Sequence, residues 1–424
     1  MTKLIFFLFL LFSKDKMLMV YLIILYEMSF LLWDFFDSIS YLLYMLTLLF
    51  FIFMLIILKS FEEFYMNNKL NLYLMMILLM ILSFSFWVEN FFYFYLMFEL
   101  SVVPIFLYMM FLGVSKEKIS ASLYLFFYTF SFSLMFLISL MKYYSVNFSF
   151  NYILLKFLNL EMSLIYMILM ILIFLVKLPM FFFHVWLPRA HVESPMGGSM
   201  VLAGLMLKLG GFGLLKLMEN FYWGNFKMGN IIFSIGMWSG ILMGLVCLFQ
   251  IDLKRMVAYS SVSHMSLILM GIFSYSEMGK LGSLMMMLAH GISSTMMFFM
   301  LGMIYYRSHS RNILNLSKYA KYIYLFNMWW MIYSIVNLGF PMTLNFFSEI
   351  LIFSSILNKS MLNLLMMFFI IMVSSIYSIF LMTSLSISLE KSNLITMNMK
   401  ISESIVLLMN FLLTILMNFL MWLY

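Results

Sequence analysis

Six ionisable side chains sit in the middle of long apolar runs: Glu99, Lys177, Lys208, His264, His290 and Glu349. Glu99 lies eight residues into the run that begins at Phe91, roughly 12 Å along a helix that rises about 1.5 Å per residue. Lys208 lies eleven residues past Gly197, roughly 16 Å along by the same rise. Lys177 has apolar sequence on both sides, His264 and His290 lie eight or nine residues inside their runs, and Glu349 follows the Pro341 break. Each costs about 2.5–3.5 kcal/mol if its run crosses a bilayer, and such residues line up where protons or ions move. Carboxyl, amine and imidazole groups can each take and release a proton, and histidine does so near neutral pH. Singly, each also has a quieter reading. Glu99 and Lys177 can form an ion pair that fixes helix register, and Lys208 and the histidines can be satisfied core residues. Six spans carrying one such group each favour a proton relay.

The elements that must position these groups are transmembrane helices. Hydrophobic residues make up 66% of the 424, charged residues only 10%, and mean hydropathy is +1.08. A bilayer core takes about 20 apolar residues per helix, and apolar stretches occupy approximately 4–12, 17–29, 38–58, 71–88, 91–112, 120–141, 162–186, 197–218, 229–250, 256–274, 281–305, 322–358, 361–384 and 404–423. No strict alternation runs through them, which argues against a membrane β-barrel. The reading is an all-α polytopic membrane protein of about fourteen transmembrane helices in a single transmembrane domain, 1–424. Connections such as Lys116–Lys118, Asp252–Arg255, Arg307–Lys321 and Glu390–Lys400 hold most of the charge and are too short for a soluble domain. The net charge of +7 forms no run that suits nucleic acid. The single cysteine, Cys247, excludes an internal disulfide and an iron–sulfur cluster held by cysteines of this chain alone. The five histidines lack metal-type spacing. Met1–Phe12 reads as part of the mature chain, without signal or transit character. Met and Phe occur 50 times each and alanine six times, a bias that suits an AT-rich organelle genome.

Two Pro-Met pairs, Pro179-Met180 and Pro341-Met342, interrupt long runs 162 residues apart. Ser133 and Ser294, and Met135 and Met296, are each 161 apart. Paired broken helices in two halves point to a site at mid-membrane; chance spacing of such common residues is the other reading. The run 322–358 is too long for one span and holds Gly339 and Pro341, so a discontinuous helix is expected there. Freed backbone at such breaks can hold water. The stretch 197–218 carries Gly197, Gly198, Gly204, Gly210, Gly211 and Gly213, which lets helices approach closely. A nucleotide loop at Gly210–Gly213 is a weak reading, because no strand precedes it and it lies inside an apolar span. Leu187–Pro195, with Arg189, His191 and Glu193, reads either as a solvated turn or as a rigid cap at the mouth of a half-channel.

Three segments carry a resemblance: Val176–Pro195 (VKLPMFFFHVWLPRAHVESP), Asp252–Met265 (DLKRMVAYSSVSHM) and Ala289–Ser294 (AHGISS), with Lys208 inside LAGLMLKLGG. Over roughly 70–385 the chain resembles the antiporter-like membrane subunits of mitochondrial respiratory complex I, which are related to cation/proton antiporters. The resemblance implies two inverted five-helix repeats with broken helices, here 71–220 and 229–385, preceded by N-terminal helices in 1–70 and followed by a C-terminal helix in 386–424. It implies a glutamate–lysine pair at Glu99 and Lys177, a bridging lysine at Lys208, central histidines at His264 and His290, and a terminal glutamate at Glu349, in the pattern Pro341…Asn345…Glu349. Separating Glu99 from Lys177 would free the lysine's proton. It further implies a subunit of a proton-translocating NADH:ubiquinone reductase in the mitochondrial inner membrane, its partners the other membrane-arm and accessory subunits and the lipid bilayer. No cofactor is expected in this chain, with flavin and iron–sulfur clusters in other subunits. A free-standing cation/proton antiporter and an inert membrane scaffold are the competing readings.

Overall fold

A computed structural model of the protein describes residues 38–60, 68–113, 115–152, 163–220, 227–320, 323–357, 359–386 and 399–421. The expected stretches 4–12 and 17–29, and most of Glu390–Lys400, lie outside these residues. The described chain forms α1 (Ser38–Ser60), α2 (Asn68–Trp87), α3 (Phe91–Leu112), α4 (Lys118–Asn147), α5 (Leu164–Lys177) and the short α6 (Trp186–Glu193). Helix α7 runs Met196–Val201, through a π-helical turn Leu202–Met206, into Leu207–Asn220. Then come α8 (Lys227–Leu248), α9 (Leu253–Ile272), α10 (Glu277–Ser308), α11 (Ile313–Ala320), α12 (Tyr324–Leu338), α13 (Leu344–Leu357), α14 (Met361–Ser386) and α15 (Ile401–Met421). Eight of the described helices are long and apolar enough to cross a membrane, and three more apolar helices are shorter.

Several elements differ from the sequence reading. The charged connection Arg307–Lys321 contains the helix α11, because a turn or two of amphipathic helix can lie along a membrane face. Leu187–Pro195 is no solvated turn: most of it is α6, and His191 within it is fully buried. The two expected breaks are present. Helix α5 ends at Lys177, and the chain resumes as a helix at Trp186, whose indole Nε1 donates to Val176 O at 3.0 Å. Helix α12 ends on Gly339, at φ +77°, a left-handed cap that favours glycine. The Gly339 N–H and the Asn345 Nδ2 both donate to Val336 O, at 3.2 and 2.9 Å. A carbonyl freed by the break is thus held by the first turn of α13.

The apolar windows of α7 and α10 are wholly buried, whereas those of α4 and α14 are about one third buried. The centre is therefore built from α7 and α10, joined by α9, and α4 and α14 present lipid-type side chains outward. Glycines allow this close packing. A Cβ at Gly210 would lie 3.1 Å from Leu178 N and Lys177 Cβ, and one at Gly291 would lie 3.2 Å from Leu46 and 3.3 Å from Lys208 Cε. The two short antiparallel bridges, Asn90 with Asn151 and Asp252 with Asn312, tie connections on opposite faces of the bundle.

Between α13 and α14, Lys359 clamps the end of α9. Its Nζ donates to Phe273 O at 2.6 Å and sits 3.9 Å above the Phe233 ring. Burial draws its ammonium down from 10.5 to about 8. The unfolded chain therefore binds more protons than the folded one between about pH 8 and 10.5, and stability contributed here rises with pH across that window. Thermal unfolding of Lys359→Met, measured through the same window, should show a flatter rise than the unsubstituted protein; an identical slope would mean that this amine keeps its ordinary affinity for protons.

Candidate functional site

The buried helices each bring a basic group to the middle of the bundle. Lys208 follows the π-helical turn of α7, and π turns inside α-helices commonly mark functional positions. The lysine is fully buried. Its side chain curls back toward the start of the helix, as helical side chains do, and Nζ donates to Ala203 O at 2.6 Å. The same Nζ lies 2.9 Å from His290 Nδ1 on α10. Which of the two carries the shared proton depends on the histidine tautomer. Ser294 Oγ donates to His290 O at 2.6 Å. Toward α9, the ring of His264 stands 5.7 Å from that of His290, centroid to centroid. His264 Nε2 is 3.0 Å from Tyr377 Oη on α14, which is 2.9 Å from Ser263 Oγ. Lys208, His290, His264, Tyr377 and Ser263 thus form a buried row of hydrogen-bonding groups crossing four helices.

The second break supplies the next group in this direction. Glu349 lies on α13 and is buried. A Cβ at Gly339 would meet its Oε2 at 3.0 Å, so the carboxylate occupies the room that the glycine leaves. It lies within electrostatic reach of Tyr377, while Oε1 has no protein partner.

At the first break, the expected Glu99–Lys177 ion pair is not closed: no salt bridge or hydrogen bond joins the two side chains. Lys177 is the last residue of α5, where a helix end favours a cation. Its Nζ lies 3.3 Å from the centre of the Phe98 ring, a cation–π contact, and makes no hydrogen bond. Glu99 is half-buried on α3. Its carboxylate is within electrostatic reach of Lys177 and next to Ser133, and Oε1 is unpaired. Helix α7 presses on Lys177 through Gly210, but no hydrogen bond links Lys177 to Lys208. The structure therefore brings together Lys208, His290 and His264, sets Glu349 behind Tyr377, and leaves Glu99 and Lys177 as a facing but open pair.

Two groups escaped the sequence reading, and a third, His191, is placed there only in a turn or cap. Tyr377 bonds both His264 and Ser263 and is within electrostatic reach of Glu349. His191, on α6, stacks on Phe298 at 4.6 Å and 5°, with both ring nitrogens buried and unpaired and with Lys208 and Lys254 as its charged neighbours. Lys254 in turn donates to Ser194 O at 2.8 Å, and Arg311 meets Glu193 at 3.4 Å. A cavity of about 530 Å³ flanks α6, lined by Glu117, His184, Arg189, Glu193, Arg255 and Tyr259 among others. The charged residues of 187–195 are thus split: Arg189 and Glu193 line this cavity, and His191 faces inward. Among the described residues no cluster of His, Cys, Asp and Glu could hold a metal ion.

The family model for the NADH:quinone oxidoreductase/Mrp antiporter membrane region matches residues 88–376. NADH-ubiquinone oxidoreductase chain 4 of Rhipicephalus sanguineus is 36% identical over 354 residues, covering 83% of this chain and 80% of that protein. The protein of the same name from Ceratitis capitata is 37% identical over 350 residues, covering 82% and 77%. A chain of respiratory complex I from Thermus thermophilus with bound NADH superposes with a TM-score of 0.83 at 20% identity, covering 90% of this chain and 81% of that one; at that identity the likeness speaks for the fold.

The row makes a stability prediction of its own. Tyr377→Phe keeps the ring but strips His264 Nε2 of its partner, whereas Ser263 keeps its bond to Ser260 O, and should cost about 1–3 kcal/mol in thermal unfolding, the usual penalty for a buried group left unpaired. Ser263→Ala should cost less, because His264 keeps its bond to Tyr377. Equal costs would contradict the geometry.

Proposed function

Since this chain belongs to the NADH:quinone oxidoreductase/Mrp antiporter family of membrane proteins, we propose that it is a proton-translocating membrane-arm subunit of respiratory complex I. NADH oxidation and ubiquinone reduction take place in other subunits, which hold flavin and iron–sulfur clusters. This chain adds proton transfer through a multi-pass bundle in the mitochondrial inner membrane, in contact with neighbouring membrane-arm and accessory subunits and with lipid. The observation that carries the reading is the fully buried Lys208 amine bonded to His290, with His264 next in line. Buried ionisable groups without an inert pairing are costly, and a relay is the use that fits a row of them.

In this reading Glu99 and Lys177 form the entry pair, Lys208 the bridge, His290 and His264 the central carriers, and Glu349 the terminal group. The facing arrangement at Glu99 supports a switch. A small movement of α3 against α5 takes the Lys177 ammonium from the Phe98 face to the carboxylate or away from it, and its proton is held or released accordingly. At the centre, a proton passed from Lys208 to His290 Nδ1 leaves through the other ring nitrogen, because an imidazole can gain at one nitrogen while losing at the other. The gap between the two histidine rings calls for water, and Tyr377 carries the path on toward Glu349. The halves 71–220 and 229–385, each with one broken helix, are read as inverted repeats. A separate cation/proton antiporter shares the family, but the curated relatives named above are NADH-ubiquinone oxidoreductase subunits. Purification with a flavin-containing assembly separates the two.

Lys177→Ala and Glu99→Ala should leave assembly and NADH oxidation intact. Protons moved per NADH should fall about tenfold or more, toward the roughly hundredfold that a positioned proton-transfer group contributes. Normal pumping by an assembled Lys177→Ala complex would reject the proposal.

A further inference from the structure

The C-terminal helix α15 lies along the discontinuity between α12 and α13, packs against α13, and is bonded both to α12 and to the break itself. On the α12 side, Tyr333 Oη donates to Leu407 O at 2.7 Å, and the Trp329 and Phe411 rings meet edge-on at 6.3 Å. At the break itself, Asn418 Nδ2 donates to Met342 O. Leu407 and Asn418 are eleven residues apart, roughly 16 Å along a helix, which is enough to bridge from one half to the other. The far end of α15 is fixed independently: Arg307 at the end of α10 meets Glu403 at 2.8 Å.

The bond at Met342 falls where the chain most needs holding. Met342 has φ +75°, in the left-handed region that a side chain with a Cβ rarely adopts. Such a conformation persists only when its surroundings fix it. Its side chain is 82% exposed and so contributes little packing, and its carbonyl is what the protein grips. Asn418 is only 6% exposed, and its Oδ1 has no partner. A buried amide with an idle oxygen is justified by the bond that its nitrogen makes. On the inner side of the same turn, Gly339 abuts the Glu349 carboxylate, and Asn345 ties α13 back to Val336. The turn that Asn418 holds is therefore the turn that sets where Glu349 sits.

We propose that α15 is a splint across the second broken helix, and that Asn418, with Tyr333 at the other end, is a positioning residue for Glu349. This rests on the role of Glu349 proposed above. Neither residue touches the transferred proton; both fix the angle between α12 and α13.

The test is proton translocation per NADH oxidised by the assembled complex in sealed vesicles, with NADH oxidation as internal control. Asn418→Leu, similar in size but unable to donate, should lower the ratio by about fivefold, the rate equivalent of one lost hydrogen bond. Adding Met342→Gly should recover most of it, because glycine adopts the left-handed turn without being held. A normal ratio in Asn418→Leu overturns the splint. A loss that Met342→Gly does not relieve overturns it too, since the effect would then come from packing. If Asn418→Leu does not assemble, Tyr333→Phe, which removes only a hydroxyl, carries the same two criteria. Glu349→Gln is run beside them. A normal ratio in Glu349→Gln defeats the underlying reading, whereas a low ratio there with a normal one in Asn418→Leu defeats the splint alone.

Discussion

The contact between Lys208 and His290 is the point from which the rest of the structure can be understood. An amine with no exposure to solvent costs free energy wherever it is put in an apolar bundle, so everything around it is arranged to accept it. The π turn of α7 lets the side chain fold back onto Ala203 O, and Gly291 leaves room for its Cε. The other partner is an imidazole on α10, the other helix whose apolar stretch is wholly buried. A dry apolar pair at these positions would be simpler and at least as stable. That the bundle instead spends its two most buried helices on basic groups points to a role in moving charge.

The same economy explains the two breaks. A helix that stops in the middle of a bundle frees backbone groups that need partners, and here side chains supply them: Trp186 at the first break, Asn345 and Asn418 at the second. In return, each break sets a titratable group beside the interruption, Lys177 as the last residue of α5 and Glu349 on α13 against Gly339. The glycine-rich segment of α7 serves both ends, pressing through Gly210 on Lys177 and through its π turn on the central lysine. Among these groups the Glu99 and Lys177 side chains face each other without a hydrogen bond between them.

Much of this was legible in the sequence. The six mid-span groups stood out because charge is so scarce here that each one inside an apolar run is conspicuous. The breaks were marked by Pro179, Gly339 and Pro341, and close packing by the glycines of α7. What escaped did so for physical reasons. Tyr377 is one of 26 tyrosines, and in such chains tyrosine usually marks a membrane edge, so nothing distinguished the one turned inward. His191 sits between prolines and charges that read as a solvated turn or as a cap at a channel mouth, and only the tertiary packing of α6 buries it. Asn418 in an apolar run carries no local sign of its partner 76 residues away. The open geometry at Glu99 depends on a side-chain choice, Phe98 ring over carboxylate, that spacing cannot express.

In the proposed relay the buried acids and bases belong to one hydrated row, with water bridging the distances that side chains leave. A map of the assembled complex at a resolution that shows ordered water tests this most directly. Water continuous from Lys177 past Lys208 and the two histidines to Glu349 is the expected result. Dry apolar packing between Lys177 and Lys208, or between His264 and Glu349, would contradict it.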